Sequence, residues 1–145
     1  MMNSKCFLCI FLLAIGCIYS ARADVIHLNA DTFTDKVKEK DTLWFVRFCV
    51  PWCKHCKKID SLWDEFGKAV EGEDSVEIAQ VDCSTSKPVC SKVDIHSYPT
   101  FKLFYNGEEY EKYTGPRDVE SLKAYVEGKA EKLARGELEN ERALL

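Results

Sequence analysis

The sequence predicts an α/β fold in which a central mixed β-sheet is flanked by helices on both faces. The first reason is the run TLWFVRFCV at residues 42–50, which is almost entirely apolar or aromatic. A run this continuous is typical of a central strand that is covered on both faces. The second reason is that strand-like and helix-like segments alternate along the early part of the chain, which indicates helices packed on a mixed sheet.

The elements around this central strand follow from their periodicity. Residues 25–29 alternate and predict a short edge strand, after which a short helix should end at about Lys38. A longer helix is predicted from about Cys53 to about Ala69, and Gly72 ends it. Its apolar residues recur at helical spacing, at Ile59, Leu62, Trp63, Phe66 and Val70.

The second half of the chain predicts three more strands, a short helix and a final helix. Asn106-Gly107 is a hairpin turn signal, and Asp118 can cap the final helix. Residues 129–145 are highly charged and predict a helical or disordered tail. The strands are predicted at 76–82, 100–105 and 109–114, and the short helix near 88–93.

The first residues have the layout of a secretory signal peptide. Lys5 gives a basic start, residues 6–18 are uncharged and mostly apolar, and residues 21–23 read Ala-Arg-Ala, a small-x-small cleavage site. The apolar run is shorter than the ~20 residues that a membrane span needs. An uncleaved anchor or a buried helix is the alternative. The chain therefore divides into a signal peptide at 1–23, one domain at 24–128 and the tail at 129–145.

Net charge and the last residues of the chain limit the expected binding partners and the expected location of the protein. Cleavage would remove Lys5 and Arg22 but none of the 24 acidic residues, so the formal charge would change from −4 to about −6. A chain this acidic is not expected to bind nucleic acid, and no later stretch is apolar enough to cross a membrane. The chain ends NERALL and not in a Lys-Asp-Glu-Leu type retention signal. We therefore expect a protein of the endoplasmic reticulum lumen or a secreted one.

Cys53 and Cys56 form a C-x-x-C pair that follows the central strand and begins a helix, where residues three apart are neighbours. The free amides of a helix N-terminus favour a thiolate, and Lys54 and His55 add positive charge. A stabilised thiolate makes the disulfide a better oxidant. Disulfides are expected because the secretory route is oxidising, and an odd number of cysteines leaves at least one thiol unpaired. The five that cleavage would leave are Cys49, Cys53, Cys56, Cys83 and Cys90.

The residues alone leave other roles for these cysteines open. Cys53 and Cys56 could form a zinc site with Cys83 and Cys90, although the C-x6-C spacing of the second pair is wider than in a usual zinc knuckle. A purely structural bond between the first two is a further alternative, but so small a loop adds little stability. Cys49 is expected to be a small buried hydrophobic residue. A third redox thiol or an intermolecular bridge are the alternatives for it.

Pro99 stands just before a predicted strand. From this segment alone the Tyr98-Pro99 bond fits either a cis bond in a turn or an ordinary trans proline at the start of an edge strand.

Three separated motifs resemble the thioredoxin-fold catalytic domain of protein disulfide isomerases. They are PWCKHCK at 51–57, SYPTFKLFYNG at 97–107 and YTGPR at 113–117, and the resemblance covers about residues 25–128. A single such domain behind a signal peptide is similar to the single-domain isomerase-like proteins of plants. The resemblance implies a thioredoxin fold and a thiol–disulfide oxidoreductase that forms and rearranges disulfides in proteins of the secretory pathway. It implies no cofactor, since the sulfurs carry the electrons.

The resemblance also implies roles for residues of the active site. Cys53 would be the exposed nucleophile and Cys56 the buried resolving cysteine. His55 would stabilise the Cys53 thiolate, and Lys54 would tune the local charge. Arg117 matches an arginine that the family uses to approach the resolving cysteine and favour its ionised form.

The same resemblance extends to substrate binding and to partners. Pro99, cis after Tyr98, would lie against the cysteine pair and line a groove for an extended substrate strand, with Trp52 beside it. Cys83 and Cys90 resemble a structural disulfide of one branch of the family, and two free buried thiols are the alternative. We expect a monomer that acts on unfolded or disulfide-containing client proteins and exchanges electrons with an upstream thiol oxidase or glutathione. The rival function is a client-binding module with secondary redox activity.

Arg47 departs from the family pattern. It stands six positions before Cys53, where the isomerases usually have a buried glutamate that accepts or relays the proton of the resolving cysteine. Arginine cannot accept a proton, and a buried guanidinium without a partner is costly. We therefore expect Arg47 to find a partner or reach water and to favour the thiolates electrostatically, while water carries the proton at Cys56.

Overall fold

The computed structural model describes residues 25–145, apart from the side chains of residues 137, 138, 139 and 141. The predicted signal peptide therefore lies outside the described residues. The strands are β1 (Ile26–Leu28), β2 (Leu43–Cys49), β3 (Val76–Asp82), β4 (Thr100–Tyr105) and β5 (Glu108–Tyr113). The helices are α1 (Phe33–Lys36), α2 (Lys54–Lys58), α3 (Asp60–Ala69), α4 (Lys87–Lys92) and α5 (Val119–Ala143).

The five strands form one mixed sheet in the order β1-β3-β2-β4-β5. β2 lies at its centre, where it pairs in parallel with β3 and antiparallel with β4. All but the last residue of β2 are buried, as its apolar sequence predicts. The predicted α/β class with a mixed sheet is confirmed.

The two faces of the sheet carry separate cores because successive side chains of a strand point to opposite faces. Trp44, Val46 and Phe48 belong to the core on one face. Leu43 and Phe45 belong to the core on the other face, where α3 and α5 pack. The same alternation puts Arg47 and Cys49 on the Phe45 face, which is the face on which α3 packs.

The helix predicted from about Cys53 to about Ala69 is two helices, α2 and α3. Ile59 separates them with φ −105° and ψ 3°, and it is both the last cap of α2 and the first cap of α3. The charges match the two ends that this break creates. Lys57 and Lys58 lie in the last turn of α2, and Asp60 lies in the first turn of α3, which suits the dipole of each helix.

The predicted tail continues the last helix, since α5 runs without a break from Val119 to Ala143. Ala130 and Leu133 still pack against the core, and the described side chains beyond Leu133 are exposed. Within residues 25–145, no helix is both long enough and apolar enough to cross a membrane.

Candidate active site

Cys53 lies where the chain leaves the central strand and turns into α2. It is the N-cap of that helix, with an extended backbone at φ −74° and ψ 115°. The backbone N–H of Cys53 donates to the carbonyl of Val50 at 3.2 Å and closes the turn. The backbone N–H of Cys56 donates to the Cys53 Sγ at 3.3 Å. The sulfur thus takes the place that a polar cap side chain would occupy and accepts one free amide of the helix.

A second loop faces the same sulfur. The Tyr98-Pro99 peptide bond is cis, and the Cys53 Sγ lies 3.7 Å from the carbonyl oxygen of Tyr98. The Thr100 hydroxyl donates to the carbonyl of Ser97 at 2.7 Å and so ties the two ends of this turn together. Two residues forty-five positions apart in the chain are therefore neighbours at one partly exposed sulfur.

Each of the two loops beside the Cys53 sulfur carries an exposed aromatic side chain. Trp52 precedes Cys53 and is 70% exposed, and Tyr98 precedes the cis proline and is 37% exposed. Large aromatic surfaces left open to water are typical of places where another chain binds. Trp52 and Tyr98, which the resemblance assigns to substrate binding, are thus accessible on the surface.

Cys56 is buried, and its sulfur is bonded to Cys49 and not to Cys53. The Cα atoms of Cys49 and Cys56 are 6.0 Å apart, within the usual range for a disulfide. From the sequence we expect Cys49 to be a small buried hydrophobic residue, and this expectation is wrong. Cys49 is half-buried because β2 leaves the core at this residue, and it points toward α2, where Cys56 lies.

Within residues 25–145, Cys53 is the one cysteine with a free thiol. The other pair, Cys83 and Cys90, is bonded across the connection between β3 and α4, with Cα atoms 5.8 Å apart. Since these two sulfurs are bonded to each other, they are not available as zinc ligands beside Cys53 and Cys56. The described residues also contain no group of three or more His, Cys, Asp or Glu side chains placed to hold a metal ion.

Arg47 is buried and has two side-chain partners. Its Nη1 donates to the Asp60 Oδ1 at 2.7 Å, and its Nη2 donates to the Gln80 Oε1. Gln80 in turn contacts the ring of His27, with the Gln80 Nε2 2.9 Å from the His27 Nε2. The Asp60 side chain is 58% exposed, so the charge of a buried arginine is balanced by a carboxylate that water reaches.

A cavity of about 210 Å³ lies behind the Cys49–Cys56 bond. Arg47, Cys49, Cys56 and Asp60 are among its lining residues. Both sulfur-bearing residues of the Cys49–Cys56 bond thus lie at its wall, and Pro99 does not line it. At this wall of the cavity the central strand thus carries an arginine, and its carboxylate partner, Asp60, is on α3.

Sequence reasoning missed Asp60. The sequence predicts one helix through this region, whereas the break at Ile59 makes Asp60 the first residue of α3, where it pairs with Arg47. The neighbour relation between Arg47 and Gln80 was not visible in the sequence, because it depends on the register of β2 against β3.

The other predicted residues lie around this centre. Lys54 and His55 are exposed on α2. Arg117 is exposed, and its guanidinium carbon lies 5.5 Å from the centre of the Phe101 ring. A second cavity, of about 260 Å³, brings Arg117 to the same opening as Pro99 and Tyr113. Burial raises the pKa of Tyr113, with a smaller contribution from Asp118, so this phenol stays neutral.

Comparison with known proteins agrees with this geometry. The family model described as thioredoxin matches residues 24–128. A rice protein, protein disulfide isomerase-like 5-1 of Oryza sativa subsp. japonica, is 64% identical over 118 residues, which cover 81% of this chain and 80% of that protein. The chain belongs to the protein disulfide isomerase family. Protein disulfide-isomerase 5-1 of Arabidopsis thaliana is 66% identical over 113 residues, covering 78% of this chain and 77% of that protein.

Solved structures of thioredoxin domains share the fold. The crystal structure of the J-Trx1 fragment of ERdj5 superposes with a TM-score of 0.68 at 34% identity, and the match covers 74% of this chain and 52% of that one. The Trx4 domain of ERdj5 gives a TM-score of 0.66 at 29% identity, covering 75% of this chain and 97% of that one. The predicted thioredoxin fold is confirmed, and the chain is a thiol–disulfide oxidoreductase of the isomerase family.

Proposed function

We propose that this isomerase-family protein forms and rearranges disulfides in proteins of the secretory pathway, with Cys53 as the nucleophile and Cys56 as the resolving cysteine. The observation that carries the proposal is the position of the Cys53 sulfur. It is free and partly exposed, it accepts the N–H of Cys56, and it lies against the carbonyl of Tyr98 before the cis proline. Cys56 is buried behind it.

The chemistry needs two exchange steps. The Cys53 thiolate attacks one sulfur of a substrate disulfide, so that a mixed disulfide forms and the other substrate sulfur leaves as a thiolate. The Cys56 thiolate then attacks the Cys53 sulfur, which releases the second substrate thiolate and leaves a Cys53–Cys56 disulfide. In the reverse direction the same steps oxidise a substrate dithiol. Isomerisation occurs when a substrate thiolate attacks the mixed disulfide first.

The groove beside Cys53 suits an extended client segment. The exposed rings of Trp52 and Tyr98 supply apolar contact area. Pro99 has no N–H, so it leaves the nearby sulfur without a competing donor. The exposed ammonium of Lys54 and ring of His55 follow Cys53 directly and supply positive potential for its thiolate. Arg117, across the second cavity, would act on the ionisation of the resolving cysteine.

Arg47 and Asp60 would serve the resolving step. Both line the cavity behind Cys56, and their ion pair places a fixed positive charge at its wall. In this proposal the guanidinium favours the thiolate forms of the cluster, and cavity water accepts the proton that a glutamate receives in other members. Removing this positive charge should slow the resolving step.

The proposal extends to location and partners. Residues 1–23 would be a cleaved signal peptide, residues 24–128 the thioredoxin domain and residues 129–145 a charged extension. The mature protein would be a monomer in the endoplasmic reticulum lumen, or a secreted one. An upstream thiol oxidase or glutathione would accept or supply the electrons for its clients.

A refolding assay on a protein with scrambled disulfides tests the activity. The Cys53→Ala/Cys56→Ala variant should lose all recovery above the uncatalysed rate. Cys83→Ala/Cys90→Ala removes the same number of sulfurs away from the groove and should keep the activity at temperatures where it stays folded. If the Cys53→Ala/Cys56→Ala variant restores the substrate as well as the wild type, the chain is instead a client-binding module.

The equilibrium of the redox centre with glutathione gives a second test. A potential near that of the endoplasmic reticulum, roughly −180 to −210 mV, supports isomerase work. A much lower potential would assign the protein to substrate reduction.

A further inference from the structure

Three cysteines within eight positions of the chain lie together around Cys56. Cys53 caps α2 and accepts the N–H of Cys56, which lies three residues further on. Cys49 is bonded to that same Cys56 from the end of β2. Cys56 therefore has two neighbouring sulfurs, one on the substrate side and one on the side of the inner cavity.

We propose that Cys49 is a third redox-active thiol. It replaces Cys53 as the disulfide partner of Cys56 by an internal disulfide exchange. The Cys49 thiolate attacks the Cys56 sulfur of a Cys53–Cys56 disulfide. A Cys49–Cys56 bond forms, the Cys53–Cys56 bond breaks, and Cys53 leaves as a thiolate. The protein contains one disulfide and one thiolate before and after the exchange. Its oxidation state does not change, so the step needs no external oxidant or reductant.

The geometry supplies what this exchange requires. Cys49 follows the last fully buried residues of β2, so its position is fixed by the sheet. Its Cα lies 6.0 Å from that of Cys56, which allows a bond without a shift of the backbone. Both residues line the cavity of about 210 Å³. Water in that cavity can accept the proton that Cys49 must lose before it attacks.

The exchange would change what the oxidised protein can do. With Cys53 bonded to Cys56, the oxidised centre can only pass its disulfide to a substrate dithiol. With Cys49 bonded to Cys56, the oxidised protein presents a free Cys53 thiol in the groove. This thiol can open a substrate disulfide, but Cys56 is not free to release the product by reduction.

The mixed disulfide then lasts until a thiol of the substrate itself attacks it, and the outcome is rearrangement. The third thiol therefore biases the protein toward isomerisation and toward holding its clients. This inference deepens the proposed function and rests on the redox activity of Cys56.

Peptide mapping of the full chain tests the proposal, because the sequence lets two proteases separate the three sulfurs. Trypsin cuts after Lys54 and Lys57, and chymotrypsin cuts after Phe48 and Trp52. Cys49 is then in the peptide CVPW, Cys53 in CK and Cys56 in HCK. The protein is equilibrated with glutathione mixtures of graded ratio, its free thiols are blocked with N-ethylmaleimide, and the linked peptides are quantified by mass spectrometry.

The expected result for the oxidised wild type is a CVPW–HCK pair together with a blocked CK peptide. Cys49→Ser should lose both of these signals and show the CK–HCK pair in their place. Cys53→Ser should still form CVPW–HCK, which tests the reach of Cys49 without competition from Cys53. Cys49→Ala repeats the first comparison with a side chain that makes no hydrogen bond.

Two outcomes would overturn the inference, and they are distinguishable. If the wild type yields only CK–HCK at every glutathione ratio, Cys49 is not a redox thiol, while the proposed Cys53–Cys56 chemistry stands. If HCK is blocked throughout and forms neither pair, the proposed function fails as well.

A kinetic measurement reports the consequence for clients. A glutathione adduct at Cys53 of the oxidised protein should persist in the wild type, because Cys56 is held by Cys49. Cys49→Ser should lose this persistence, since Cys56 is then free to displace the glutathione. Equal lifetimes in the two proteins would contradict the proposed effect of the third thiol.

Discussion

At the scale of single residues, Arg47 shows how a charged side chain can be buried in the central strand of a sheet. The side chain is only 8% exposed, yet it bonds to Asp60 and Gln80. Removing one partner would leave a buried charge partly unsatisfied, and this is the costly change. The arginine is therefore held by the structure and can act as a fixed charge at the cavity wall.

Arg47→Met should slow the release of a mixed disulfide from Cys53 by Cys56. The loss of roughly 1 kcal/mol of charge attraction on the attacking thiolate corresponds to a decrease of about threefold to tenfold in rate. Quenched-flow measurement of glutathione release checks this. The experiment is done in a Cys49→Ser background, so that Cys56 has no other partner.

Gln80→Met serves as the matched control for Arg47→Met, because it perturbs the same network and leaves the positive charge in place. An unchanged release rate in Arg47→Met would contradict the proposed role of the guanidinium.

At the scale of elements, the connection between β3 and α4 is closed by the bond between Cys83 and Cys90. Both sulfurs are buried, and the turn is also held by Asp82, whose Oδ1 accepts the Ser84 N–H at 2.8 Å. The disulfide lies in the core on the face of the sheet opposite α3. Its contribution should therefore be to stability and not to the redox chemistry.

Cys83→Ser/Cys90→Ser should lower the free energy of unfolding by about 2–3 kcal/mol, because the unfolded chain gains the entropy of an open loop of about eight residues. Urea unfolding followed by circular dichroism checks this under conditions where the wild-type disulfides stay intact. A loss well below 1 kcal/mol would show that the hydrogen bonds of the turn hold this connection by themselves.

Asp118, at the start of α5, makes a pH-dependent contribution to the stability of the fold. Asp118 accepts hydrogen bonds from the N–H of Ser121 at 2.8 Å and from the Ser121 hydroxyl at 2.8 Å. These bonds, the backbone one first, hold the pKa of Asp118 below its usual value. A carboxyl whose pKa is lowered by folding stabilises the fold above its unfolded pKa, and this stability disappears as pH falls through the folded pKa.

Asp118→Asn should therefore have a lower Tm than the wild type near neutral pH, and the difference should shrink below about pH 4. Asparagine is a good helix cap but does not titrate, so the comparison isolates the charge. Thermal unfolding between about pH 7 and about pH 2 checks it. A constant difference over the whole range would rule out this contribution.

At the scale of the whole molecule, the first part of the long helix α5 packs against a core of the sheet and contributes to stability. Leu122 and Val126 are fully buried against the α3 side of the sheet, and Ala130 and Leu133 pack at the edge of that core. The ammonium of Lys129 pairs with Glu111 of β5. The described side chains beyond Leu133 are exposed, so the boundary of the folded unit lies near Leu133 and past residue 128.

Truncation after Arg135 should leave the free energy of unfolding and the redox activity unchanged. Truncation after Gly128 removes Ala130, Leu133 and the Lys129 pair, and should cost about 1–2 kcal/mol from lost apolar burial. Urea unfolding of the two truncated chains, with the full chain as control, checks the difference. Equal stability of both truncated chains would place the boundary of the domain at residue 128.

Periodicity and short spacing in the sequence predict the five strands, the C-x-x-C motif and most of the helices, but not the break at Ile59 that divides α2 from α3. The run LWFVRFC predicts a strand buried on both faces, and Asn106-Gly107 predicts a turn between two neighbouring strands. Which side chains come into contact depends instead on how the elements pack against one another in space. Arg47 contacts Gln80 because β2 and β3 pair in one register, and it contacts Asp60 because α3 packs on the face of the sheet toward which Arg47 points. In the same way, Cys56 reaches Cys49 because the turn at 50–53 folds α2 back over the end of β2, and a contact that depends on the path of the backbone in space leaves no periodic signal in the sequence.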